Sequence, residues 1–183
     1  MESSIRKKFS RHSAMLEGAE SHIVRTVSEL VEMYEDISGV DPNTRVYEVY
    51  TVQKSISNEE HLLAGTCIIY PGRIRDRYFM TKGHRHMVPR AEIYIGVTGD
   101  GMLILQHEKT HECRVEIIEP DTIIYVPPLW AHRHVNTGLD PLVTLFSVAA
   151  DAGHDYDYIV DNPFRVSIMA TNDGPKIIPV DDV

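Results

Sequence analysis

The chain has 183 residues, 43% hydrophobic and 25% charged, with a formal net charge of -9. That length suits one domain, or one domain with an extension, and the composition is that of a folded chain rather than a disordered one. The negative charge disfavours nucleic acid and anionic membranes as partners, and a small anionic substrate would need a local cation or oriented N–H groups.

Residues 1–11 are charged and lack an apolar core, and no stretch reaches the roughly 20 apolar residues of a membrane helix. No signal peptide or membrane span is expected, and the chain reads as cytoplasmic. Within residues 1–45, Val27, Leu30, Val31 and Tyr34 recur at the spacing of one helical face. Thr26 with Glu29 has the form of a capping box, and Gly39 reads as a stop. This predicts an N-terminal helical extension packed outside the main fold.

Residues 46–183 read as one all-β domain. Short β-rich segments fall at 46–50, 66–70, 92–97, 102–105, 115–118, 123–126 and 142–146, with 166–169 and 176–178 as later strands. Turn formers separate them, among them Pro71-Gly72, Gly99-Asp100-Gly101 and Pro127-Pro128. Many short strands without interposed helices predict an antiparallel sandwich or barrel. Cys67 and Cys113 read as reduced thiols.

Histidine spacing carries the chemistry. His84 and His86 are two apart, which on an extended strand points both imidazoles to one face. Glu92 and Tyr94 have the same relation on the next strand, and His132 follows the apolar strand at 123–126. A barrel can gather these segments around its interior. Three imidazoles and one carboxylate suit one divalent metal ion per chain: iron(II), manganese, nickel or zinc. His12, His22, His61, His107 and His111 read as surface residues.

His84-x-His86, then Glu92, then six residues to Gly99, resembles the first cupin motif; Pro127, His132 and Asn136 resemble the second. Five residues separate His86 from Glu92, one more than the usual spacing, and Tyr78, Asp121 and Leu129 stand where the general motifs have glycine. A narrower resemblance runs from about Arg45 to Phe164. Val46-Tyr47-Glu48-Val49-Tyr50, Thr81-Lys82-Gly83-His84, Arg90-Ala91-Glu92-Ile93-Tyr94, Trp130-Ala131-His132-Arg133 and Asp151-Ala152-Gly153-His154-Asp155-Tyr156 are similar to the cupin-type phosphoglucose isomerases.

That resemblance implies a double-stranded β-helix (jelly-roll) barrel and a metal-dependent isomerase acting on a sugar phosphate, glucose 6-phosphate and fructose 6-phosphate. It implies His84, His86, Glu92 and His132 as metal ligands, with iron(II) first among the metals. Glu92 would be the base of a cis-enediol route, with a hydride shift equally open, and His154 would serve ring opening or proton relay. Thr81 and Gly83 would contact phosphate, while Tyr50, Tyr94 and Tyr156 would line the substrate. A homodimer is implied as well. Lys82 reads as solvent-facing, and His134 as a rim histidine. Cys67 and Val148 stand where the family has hydroxyl groups near the phosphate. The alternatives are a cupin isomerase or epimerase on another sugar, a dioxygenase or decarboxylase, and a non-catalytic sugar-binding cupin.

Overall fold

A computed structural model describes residues 4–11, 14–34, 36–53 and 59–180, so His12 lies outside the described residues. The chain begins with β1 (Lys8–Phe9), β2 (Leu16–Glu17), β3 (Ser21–Thr26) and a 3-10 helix (Val27–Met33). Next come β4 (Arg45–Thr51), β5 (Leu62–Ile69), β6 (Arg73–Ile74), β7 (Arg77–Tyr78), β8 (Glu92–Thr98) and β9 (Gly101–His107). Last come β10 (Cys113–Ile118), β11 (Ile123–Val126), β12 (Trp130–Asn136), β13 (Leu142–Ala149), α1 (Asp157–Asp161), β14 (Val166–Thr171) and β15 (Gly174–Pro179).

Two antiparallel sheets build the barrel, one of six strands in the order β11-β8-β13-β5-β4-β3 and one of three in the order β10-β9-β12. The segment after β7 widens the second sheet. Met80 and His84 bridge to Val135 and His132 of β12, and the Thr81 N–H donates to the His134 carbonyl at 3.0 Å. Alternation along each strand sends one set of side chains inward. Tyr47, Ile69, Leu103, Leu105, Val126 and Leu142, drawn from both sheets, belong to one buried core. This is the antiparallel barrel predicted from the strand pattern, and the jelly roll that the resemblance implied. Strands β14, β15, β7 and β6 form a separate outer sheet.

The N-terminal segment departs from expectation. Its helix is a seven-residue 3-10 helix, and a strand precedes it. A 3-10 helix has three residues per turn, so Val27 and Leu30 share the buried side while Val31 is 43% exposed. The capping contact forms as read, with the Thr26 N–H donating to Glu29 Oε2 at 3.0 Å. Strand β3 pairs with β4 and is the edge of the six-stranded sheet, so residues before 45 contribute to the barrel wall. Among the described residues no helix is long and apolar enough to cross a membrane. Cys67 and Cys113 are free thiols.

Candidate active site

The four residues singled out by spacing come together inside the barrel. One ligand atom from each of His84, His86, Glu92 and His132 lies within 4.8 Å of the others. Glu92 opens β8 and points inward with Tyr94, and His132 sits mid-strand in β12. His84 and His86 arrive on the segment bridged to β12, through the mutual His84–His132 backbone pair.

Gly83 sets that approach. Its φ of +78° is a conformation that side chains rarely adopt, and a Cβ there would lie 3.0 Å from the Phe164 ring and 3.1 Å from the His132 carbonyl. From behind, Arg133 donates to the Lys82 carbonyl at 3.2 and 2.7 Å and lies over the Phe164 ring.

Backbone carbonyls orient two of the imidazoles. The Nδ1–H of His86 donates to the Arg90 carbonyl at 2.7 Å, and that of His132 to the Trp130 carbonyl at 3.2 Å. Each ring thereby turns Nε2 inward, the arrangement by which outer partners fix metal-ligating histidines. Both Nε2 atoms reach one oxygen, Glu92 Oε2, at 3.2 and 3.1 Å. Nε2 of His84 is buried and has no hydrogen-bond partner among the described residues. A buried polar atom without a partner is costly, and a cation at the centre of the cluster would satisfy it.

The electrostatics of Glu92 and His84 fit the same role. Burial alone would raise the Glu92 carboxyl, but hydrogen bonds from His132 and His86 outweigh it and hold the group far below the usual carboxylate range. Burial, with His132 and His154 nearby, drives His84 well below its ordinary value and keeps it neutral. An ionised carboxylate and a neutral imidazole are the forms that bind metal. At His86 burial is outweighed by the Glu92 carboxylate, which raises its pKa.

The cluster opens into a cavity of about 270 Å³. Thr81, Gly83, Tyr94, His154 and Tyr156 line it. The His154 ring meets His84 edge-on at 4.4 Å and stacks near Tyr156 at 5.9 Å. His154 is solvent-accessible, yet desolvation by the surrounding protein lowers its pKa. Lys82 turns away from the cavity to pair with Glu32 at 3.1 Å.

Three placements differ from expectation. Tyr50 does not face the cavity. Strand alternation puts it on the outer side of β4, where its hydroxyl donates to Glu48 at 2.8 Å and its ring stacks on His22 at 4.1 Å. Tyr47, three residues earlier, lines the cavity instead and was missed by sequence reasoning. His134 is not at a rim: it is 3% exposed, lines the cavity and meets the Tyr94 ring edge-on at 4.3 Å. Burial pushes its pKa down to about 3, so it is a neutral imidazole. Val148 is buried beside Leu63, Ala150 and Ala152 rather than among the cavity-lining residues, whereas Cys67 is in the cavity wall. His22 is exposed, as expected of a surface residue, and lies 2.7 Å from Glu48.

An antiparallel double-sheet barrel with a His/Glu cluster inside it defines a cupin whose interior can hold a metal ion. Comparison with known proteins narrows this. Residues 22–175 match the family model described as glucose-6-phosphate isomerase (GPI). The chain is 38% identical over 174 residues to the glucose-6-phosphate isomerase of Pyrococcus horikoshii, covering 91% of this chain and 89% of that one. It is 40% identical over 165 residues to that of Thermococcus kodakarensis, covering 85% and 84%. A putative glucose-6-phosphate isomerase 2 of Rhizobium meliloti is 42% identical over 174 residues, covering 89% and 86%. The chain belongs to the glucose-6-phosphate isomerase family.

Proposed function

We propose that the chain is a metal-dependent aldose–ketose isomerase that interconverts glucose 6-phosphate and fructose 6-phosphate. The observation that carries this reading is the gathering of His84, His86, Glu92 and His132 at the base of a cavity in a chain of this family. Those four side chains would hold one divalent cation, iron(II) first, with manganese, nickel and zinc suited to the same donors. When bound, the metal would supply Lewis acidity to the oxygens at the carbons that exchange the carbonyl.

The chain's own residues do the rest. Thr81 and the Gly83 backbone offer neutral donors to phosphate at the cavity wall. Tyr47, Tyr94 and Tyr156 supply hydroxyls and apolar faces to the sugar. Glu92 is a weak base in this environment, since its neighbours favour the ionised form. His154 is neutral, lines the cavity beside the cluster and can take or give a proton without leaving a ligand set. Glu92 is therefore assigned chiefly to holding the cation, and His154 to moving the proton. Location in the cytoplasm and assembly as a homodimer belong to this reading through the family resemblance.

The test is to strip the protein with a chelator, add back iron(II), manganese, nickel or zinc, and follow fructose 6-phosphate conversion. Activity restored by metal and absent from His132→Ala supports the reading. Undiminished activity in the stripped protein overturns its metal dependence. Cys67 favours a second reading, the same chemistry on another sugar. Burial, with Glu92 nearby, pushes this thiol up to about 12, and it makes a weak donor in the cavity wall. A higher kcat/KM for a different sugar would establish that reading.

A further inference from the structure

A sugar phosphate brings a dianion into a protein whose net charge is -9. The floor of the cavity answers the sugar oxygens, but Thr81 and Gly83 offer only neutral donors to the phosphate. Among the described residues lining the cavity, Arg25 is the one lysine or arginine. Lys82 and Arg133 lie close in sequence and space, yet both turn away, Lys82 to Glu32 and Arg133 to the Lys82 carbonyl.

Strand pairing puts Arg25 where it is. Ser21, Ile23 and Arg25 of β3 face inward, opposite Thr51, Val49 and Tyr47 of β4, apart from a register irregularity just after Arg25. Arg25 and Tyr47 are direct cross-strand partners, close enough for their side chains to act together. The Arg25 charge bears on the hydroxyls of both Tyr47 and Tyr156, and the Tyr47 hydroxyl is in turn within reach of the Lys82 backbone. The guanidinium thus lines the same cavity as Thr81 and Gly83.

Its present partners hold it weakly. Arg25 donates to Glu29 Oε1 at 3.1 Å, with the two side chains 38% and 45% exposed, and to the Val24 carbonyl at 3.3 Å. Exposed ion pairs of this kind contribute little in water. A phosphate offers a higher charge and several acceptor oxygens to a planar guanidinium. Glu29 is fixed separately by the Thr26 N–H, so Arg25 can leave it without disturbing the capping contact.

We propose that Arg25 exchanges Glu29 for the substrate's phosphate, and that this exchange selects phosphorylated over free sugars. The proposal rests on the isomerase reading above and deepens it.

The test uses the full-length, metal-loaded protein and the variants Arg25→Met, Arg25→Lys and Glu29→Gln. Two quantities are measured: the KM for fructose 6-phosphate and the inhibition constant of inorganic phosphate. Arg25→Met should raise both together by about 10- to 100-fold, the loss of a charge-assisted contact, while kcat stays within about threefold. Arg25→Lys should fall between, keeping the charge without the fork. In Glu29→Gln the amide oxygen still accepts the Thr26 N–H, so both constants should fall by about 2- to 5-fold as a weak competitor is removed. If Arg25→Met does not fold, Arg25→Lys and Glu29→Gln carry the same prediction.

Constants matching wild type across the variants, or a loss confined to kcat, overturn the role of Arg25. A wild-type protein that leaves fructose 6-phosphate unconverted overturns the isomerase reading instead. In that case calorimetric binding of inorganic phosphate to wild type and Arg25→Met, equal or unequal, still decides whether Arg25 binds the anion.

Discussion

The hydroxyl of Tyr94 stands 3.0 Å from Nε2 of His132, a residue 38 positions further along the chain. The two sit on different sheets, and the contact ties the inner wall of β8 to His132 on β12. Tyr94→Phe keeps the ring in the core and removes only this hydroxyl. The hydroxyl sits on the Nε2 that His132 turns toward the cluster, so it competes with a cation for that nitrogen, and the variant should bind metal no more weakly than wild type. Competition against a chelator measures it, and circular dichroism should show an unchanged fold.

Tyr47 and Tyr50 belong to one strand but to opposite sides of it, and they should fail in opposite ways. Tyr47→Phe should raise the KM for fructose 6-phosphate several-fold. Tyr50→Phe removes a buried bond to Glu48 and should cost about 1–3 kcal/mol of stability, with KM unchanged. Steady-state kinetics alongside thermal melts separate the two.

The exchange of these tyrosines shows where the sequence was readable and where it was not. The His/Glu cluster was legible because His84 and His86 are spaced two apart, the period of a strand, and because Glu92 and His132 each adjoin strongly β-forming runs. In Val46-Tyr47-Glu48-Val49-Tyr50 either tyrosine could face inward. The choice is set by cross-strand pairing, Arg25 opposite Tyr47, which is a long-range fact absent from the local pattern. His134 shares the parity of His132, so its inward direction could be read, but its burial depended on Tyr94 closing over it. The N-terminal helix differs from the pattern because Val27, Leu30, Val31 and Tyr34 satisfy an α-helical template, whereas packing selects the tighter 3-10 turn. Strand β3 is not legible from the local pattern because Ser21 and Arg25, which face inward, are not the apolar residues of a barrel lining.

Gly83 supplies a third prediction. In Gly83→Ala the new Cβ meets the Phe164 ring at 3.0 Å, the His132 carbonyl at 3.1 Å and Arg133 Cβ at 3.2 Å, at a φ of +78°. The strain should cost about 1–3 kcal/mol. Because Gly83 directly precedes a ligand, the variant should also lose metal more readily than a surface change of equal stability cost. Thermal melts and chelator competition on the same sample check both.

Outside the barrel, Glu48 is 2% exposed and accepts from Tyr50 and Tyr70 at 2.8 Å, His22 at 2.7 Å and Arg45 at 3.0 Å. Burial would raise its pKa, but the hydrogen bonds from Tyr50, Tyr70 and His22 outweigh that and lower it. A carboxyl lowered on folding stabilises the protein above its ordinary value of 4.5 and loses that contribution as pH falls through the folded value. Glu48→Gln should therefore be less stable at neutral pH by about 1–3 kcal/mol, and the gap to wild type should close as the solution becomes acidic. Urea melts from pH 7 down to pH 3 test the sign.

The central claim is that His84, His86, Glu92 and His132 hold one cation between them. It is tested most directly by metal content per chain after equilibrium dialysis against iron(II) or manganese, in wild type and in a His84→Ala, His132→Ala double variant. The account predicts one ion per wild-type chain, with X-ray absorption giving three nitrogen donors and at least one oxygen, and no ion in the double variant. Equal uptake by both proteins, or none by either, would contradict it.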